Sequence, residues 1–218
     1  MVAPGSQSFG PTPPVPTPRR SIARVFPAAP IAALLAMVVF TALLYVVEVV
    51  DQLTHLQLDA DGIVPRQVNG LEGVLWAPLL HHGWPHLFAN TLPFLIFGFL
   101  AMAGGFVQFI AVTALIWIVG GLGVWLTAPP HTTTIGMSGV IFGWLVFLLV
   151  RGFFARSAKQ ILLGIVLFMF WGGLLLGVLP GQPGISWQAH LFGALAGLLA
   201  AWIVARADRR SAPGPVAA

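Results

Sequence analysis

The chain has 218 residues, 58% of them hydrophobic and 7% charged, with a mean hydropathy of +0.93 and a net charge of +4. A soluble domain carries about 25% charged residues, so this composition excludes one and identifies a polytopic membrane protein. With no cysteine, disulfide frameworks and thiolate chemistry are excluded as well.

Residues 1–30 hold eight of the 18 prolines and predict a flexible, extended tail, because such a segment buries little apolar surface. Six apolar stretches follow at 31–50, 86–102, 106–126, 137–150, 160–178 and 187–205, each approaching the roughly 20 residues that cross a bilayer. They predict an all-α membrane domain over 31–205. The first stretch is too long for a removable signal peptide and lacks a small-residue cleavage site, so it reads as a retained signal anchor. Residues 206–218 form a second short tail.

Orientation follows from the ten Lys and Arg residues. Arg19, Arg20 and Arg24 precede the first span, Arg151, Arg156 and Lys159 join the fourth to the fifth, and Arg206, Arg209 and Arg210 follow the sixth. With six spans these nine lie on one side, which the positive-inside rule makes cytoplasmic together with both termini. Arg66 alone lies opposite, in a long outer loop. The positive charge therefore reports topology, and no basic stripe with interleaved aromatics suggests a nucleic-acid partner.

All six histidines fall on the outer side or at its membrane boundary. Polar side chains at membrane depth are functional candidates by default. Gly136-Met137-Ser138-Gly139 opens the fourth span and Ala189-His190 the sixth. Ser138 lies 13 residues before Arg151 and His190 lies 16 before Arg206, a difference of about one helical turn that tilt absorbs. The two side chains can therefore meet at one depth. Gly136, Gly139 and Gly143 face that meeting from one helix, and Gly193 and Gly197 from the other. Such surfaces let backbones pack closely in lipid, which is also all that small-residue motifs do in many membrane helices.

His86 and Asn90 are four apart and share a helical face near the outer end of the second span. They can donate hydrogen bonds to an oxyanion, or only satisfy buried polarity. His82 and His86 form an H-x-x-x-H pair, but it lacks the glutamate of a zincin and contains Pro85, so no metal site is expected. His55 and His131 read as solvated loop residues. Trp76, Trp84, Trp125 and Trp187 read as interfacial anchors.

Taken together, these motifs resemble the rhomboid family of intramembrane serine proteases over residues 31–205. The resemblance implies a six-helix rhomboid-like bundle in a bacterial plasma membrane. It makes Ser138 the nucleophile and His190 its general base, with the oxyanion held by His86, Asn90 and the backbone N–H of Ser138. His81 would support the site by hydrogen bonding to the first loop. Phe142, one turn after Ser138, stands where many relatives carry tyrosine; it can stack on His190 but offers no hydroxyl. The Trp-Arg pair of many relatives' first loop is absent, Trp76 and Arg66 being separate.

None of the six acidic residues is placed to complete a triad, so a Ser-His dyad is the economical reading. No cofactor is implied. The partners implied are transmembrane protein substrates, with a helix-destabilising segment near the cut, and the lipid bilayer; oligomeric state stays open. The outer loops and the polar run His131-Thr132-Thr133-Thr134 read as margins of a wet cavity. Pro180–Gly184 forms a cap that can move to admit substrate, and parting of the second and fifth spans is the other route. A non-catalytic rhomboid-like binder would share the fold but be expected to lack the serine or the histidine. A transporter built on glycine-broken helices would need an inverted repeat or an ionisable pathway into the cytoplasmic half, and neither is evident.

Overall fold

Inside a bilayer the backbone must satisfy its own hydrogen bonds, so each apolar stretch becomes a helix. A computed structural model describes residues 24–55 and 57–210. The proline-rich tail as far as residue 23, and residues 211–218, lie outside the described residues. The helices are α1 (Pro30–Leu53), a short α2 (Gly73–Trp76), α3 (Trp84–Ala101), α4 (Phe106–Thr127), α5 (Ser138–Ala155), α6 (Ala158–Trp171) and α7 (Trp187–Arg210). All but α2 are long and apolar enough to span a membrane, α3 and α6 being extended by 3₁₀ turns to Gly104 and Val178.

The helices begin and end at places that hydropathy alone does not mark. Pro30 and Pro85 occupy first-turn positions, where a missing N–H costs nothing. The fourth span does not stop at Val150. It runs through Arg151 to Ala155, and Arg156 turns the chain in a left-handed conformation (φ 52°). Arg151 therefore lies within the helix rather than in the connecting loop. It is buried, donates to the Arg24 carbonyl and lies 5.6 Å from the Phe147 ring centre. Gln160 donates to the same carbonyl at 3.1 Å, so the residues before α1 are held against α5 and α6. The sixth span likewise continues past Ala205 to Arg210.

The bundle is centred on α5. Of its most apolar stretch 56% is buried, against 22% for α1 and 11% for α6, which places α6 at the lipid margin. Trp144 of α5 is fully buried between Phe94 and Phe109, with ring centres 5.3 and 5.4 Å away, and its indole N–H reaches Thr113 Oγ1 at 3.1 Å. Lipid is as apolar as the side chains, so helix association depends on close packing. Along α5 and α7 a Cβ on Gly193 would collide with the Gly139 carbonyl, and one on Gly197 with the Gly143 carbonyl.

The loop between α1 and α3 is structured and fixed to α4. Trp117 Nε1 donates to the Val74 carbonyl at 2.8 Å and Trp125 Nε1 to that of Gln67 at 2.9 Å. Arg66 donates to the carbonyls of Leu126 (3.1 Å) and Ala128 (2.9 Å), placing a cation at the C-terminus of α4, where the helix dipole favours it. Ile63 and Thr134 exchange both backbone hydrogen bonds at 3.0 Å in an isolated antiparallel bridge, which ties this loop to the segment leading into α5.

Candidate active site

Ser138 is the first residue of α5, where backbone N–H groups have no intrahelical acceptor and the dipole favours negative charge. The chain enters this helix through Gly136, whose φ of 117° suits glycine. A Cβ there would also lie 2.6 Å from the His86 ring, so any side chain at this position would displace that imidazole.

Ser138 and His190 are brought together from helices 52 residues apart. His190 Nε2 lies 2.9 Å from Ser138 Oγ, and His190 Nδ1 lies 3.0 Å from the carbonyl oxygen of Gly177. A carbonyl only accepts, so Nδ1 must carry the hydrogen. The lone pair of Nε2 is then directed at the serine hydroxyl, the tautomer a general base requires. Phe142 stacks on the imidazole with ring centres 3.9 Å apart and planes 8° from parallel. His190 is thus fixed by a carbonyl at its edge and an aromatic on its face.

Gly177 escaped the sequence reading. It lies in the 3₁₀ stretch Gly172–Val178 that closes the fifth span. A Cβ at Gly177 would stand 2.9 Å from His190 Nδ1 and 3.0 Å from Phe142 Cζ, so the imidazole fills the space that a side chain there would need. A backbone acceptor has no residue-type signature, which is why no motif pointed to it.

The two further donors expected from the sequence, His86 and Asn90, both lie on α3. Asn90 is 7% exposed and its Nδ2 is buried with no hydrogen-bond partner among the described residues. His86 Nδ1 accepts the backbone N–H of His82 at 3.3 Å, which leaves Nε2 as the protonated nitrogen of a neutral ring. That nitrogen would lie 2.9 Å from a Cβ on Gly136, two residues before Ser138. His81 is buried edge-on to His86, with ring centres 5.1 Å apart. Its one interaction with the first loop is with the Leu79 backbone, and neither ring nitrogen makes a well-formed hydrogen bond among the described residues. Burial, and next the neighbouring His86, push its pKa down to about 3.

A cavity of about 660 Å³ opens at this end of the bundle. Its lining includes His86, the run Thr132–Ile135 and the run Gly184–Gln188, and the two runs end three residues before Ser138 and two before His190. Gln188, buried at the start of α7, was not singled out from sequence. Ser138 and His190 are not in the lining, so the dyad adjoins the cavity. His55 and His131 are exposed, as expected of loop residues. Gly139 and Gly193 set the approach of the two dyad helices, since a Cβ on Gly139 would stand 3.1 Å from the Ala189 carbonyl oxygen.

Comparison with known proteins bears on the family. An uncharacterised protein of Mycobacterium tuberculosis is 49% identical over 180 residues, covering 79% of this chain and 75% of its own. A Mycobacterium leprae protein, also uncharacterised, is 47% identical over 180 residues, 79% of this chain and 71% of its own. Rhomboid-like protease 5 of Toxoplasma gondii is 32% identical over 143 residues, 62% of this chain and 16% of its own. The Rhomboid domain profile matches residues 69–207, from the loop between α1 and α3 through α7, and so the chain belongs to the rhomboid family of intramembrane proteases.

Proposed function

We propose that this protein is a serine endopeptidase that cuts transmembrane proteins near the extracytoplasmic boundary of the membrane, using Ser138 and His190 as a dyad. The observation that carries the proposal is the 2.9 Å Ser138–His190 contact, made by an imidazole whose other nitrogen is held by the Gly177 carbonyl. His190 Nε2 takes the Ser138 proton as Oγ attacks the scissile carbonyl carbon. The Gly177 carbonyl supports the resulting imidazolium, standing where a triad would place a carboxylate. Negative charge on the carbonyl oxygen meets His86 Nε2–H, Asn90 Nδ2–H and the Ser138 N–H. His190 then protonates the leaving amine, and water drawn from the adjoining cavity hydrolyses the acyl-enzyme by the reverse sequence.

The distribution of cations supports an orientation with both ends of the 31–205 domain on the cytoplasmic side, since Arg66 is the sole Lys or Arg of the outer loop. The test is cleavage, in liposomes, of a single-span reporter carrying a glycine- and alanine-containing segment at its outer boundary. Wild-type protein cuts it and Ser138→Ala does not; cleavage retained by a folded Ser138→Ala rejects the nucleophile. A non-catalytic binder would hold such reporters without cutting them.

A further inference from the structure

Asp59 belongs to none of the elements above, yet a run of contacts joins it to the oxyanion side of the site. It sits on the 3₁₀ turn Leu58–Asp61 of the outer loop and lines the same cavity as His86. Its Oδ2 lies 3.1 Å from His82 Nδ1. The backbone N–H of His82 in turn donates to His86 Nδ1 at 3.3 Å, the bond that assigns the ring hydrogen of His86 to Nε2. The His82 side chain is otherwise open to solvent, 81% exposed, so the Asp59 carboxylate is what holds it. His82 precedes Gly83, whose φ of 82° turns the chain into α3 in a conformation that suits glycine.

We propose that Asp59 is a positioning residue: by anchoring His82 it fixes the loop amide that keeps His86 an Nε2–H donor directed at the oxyanion. The inference rests on the protease reading and extends it to the outer loop. Without the anchor the His82 amide moves off Nδ1, the imidazole is free to take either tautomer or rotate, and the donor is lost for part of the time. Loss of one complete oxyanion donor costs about 10²–10³ in rate, so a loosened one should cost about tenfold.

The experiment is the second-order rate of labelling by an alkyl fluorophosphonate, whose phosphoryl oxygen takes the oxyanion's place. It is measured for wild type, Asp59→Ala, Asp59→Glu, His86→Ala and the Asp59→Ala/His86→Ala double variant, with thermal unfolding as a check on folding. Asp59→Ala should label about tenfold more slowly than wild type, and Asp59→Glu should recover most of the loss. In the His86→Ala background, Asp59→Ala should change the rate less than twofold, because the group through which it acts is gone. A purely structural role would slow both backgrounds equally, and that result overturns the inference. So does an Asp59→Ala rate equal to wild type. No labelling of folded wild-type protein would remove the protease reading and this inference with it, whereas labelling that depends on Ser138 but not on Asp59 removes this inference alone.

Discussion

Gly193→Ala should separate the dyad. A Cβ at Gly193 points into the Gly139 carbonyl, one residue after Ser138, and the obstructing atom is backbone that no rotamer change can clear. Ordinary van der Waals contact then requires α7 to retreat from α5 by about 1.4 Å. Overpacking of this kind costs about 1–3 kcal/mol of stability. The chemical effect should be larger, because the same retreat carries the 2.9 Å Ser138–His190 contact beyond hydrogen-bond range. Misplacement by 1 Å costs about 10²-fold in rate. Fluorophosphonate labelling, followed beside thermal unfolding in detergent, reads both quantities. The control is Leu195→Ala on the same helix, where a side chain 48% exposed faces outward and should change stability by about 0.5 kcal/mol or less. A Gly193→Ala protein that melts with wild type and labels within twofold of it would refute close glycine packing as the device that sets the dyad.

Three other outcomes follow from the site. Gly177→Ala should slow labelling more than tenfold by displacing His190, while Gly173→Ala in the same 3₁₀ stretch, whose Cβ would meet nothing within 4 Å, should be neutral; equal effects would deny Gly177 its role. Asn90→Ala should lower the cleavage rate constant by about 10²-fold or more with little change in KM, as loss of an oxyanion donor does; an effect on KM alone would make Asn90 a binding residue. His81, with its pKa lowered to about 3 in the folded protein, is neutral there and takes up a proton near its ordinary value of 6.5 when unfolded. The unfolded state then binds more protons between those limits, so stability should fall as pH drops from 6.5 towards 3, by up to about 1.4 kcal/mol per pH unit, and be unaffected by this group above 6.5. His81→Phe should flatten that slope in melting curves recorded against pH; an unchanged slope would place the titration elsewhere.

Most of this protein can be read from its sequence because a bilayer allows few solutions. The six spans follow from hydropathy, and Ser138, His190, His86 and Asn90 stand out because polar groups are costly where they occur. The misplaced helix ends have one physical source. Hydropathy counts charges, whereas a helix continues while its backbone bonds are satisfied, so Arg151 marked an end that α5 passes through with its guanidinium held by the Arg24 carbonyl. Trp125 was read as an interfacial anchor and not as the donor that pins the first loop at Gln67, and Trp117 was not legible at all. Gly177 is the clearest case. The group that orients His190 is a carbonyl, which every residue carries, and only the fold decides which one arrives.

Mapping the adduct formed by an alkyl fluorophosphonate on the purified full-length protein, by peptide mass spectrometry, tests the dyad most directly. A phosphonyl group on Ser138 of wild-type protein, absent from Ser138→Ala and lost in His190→Ala, is the predicted result. An adduct on another residue, or labelling of Ser138 that persists undiminished in His190→Ala, would contradict activation of this serine by this histidine.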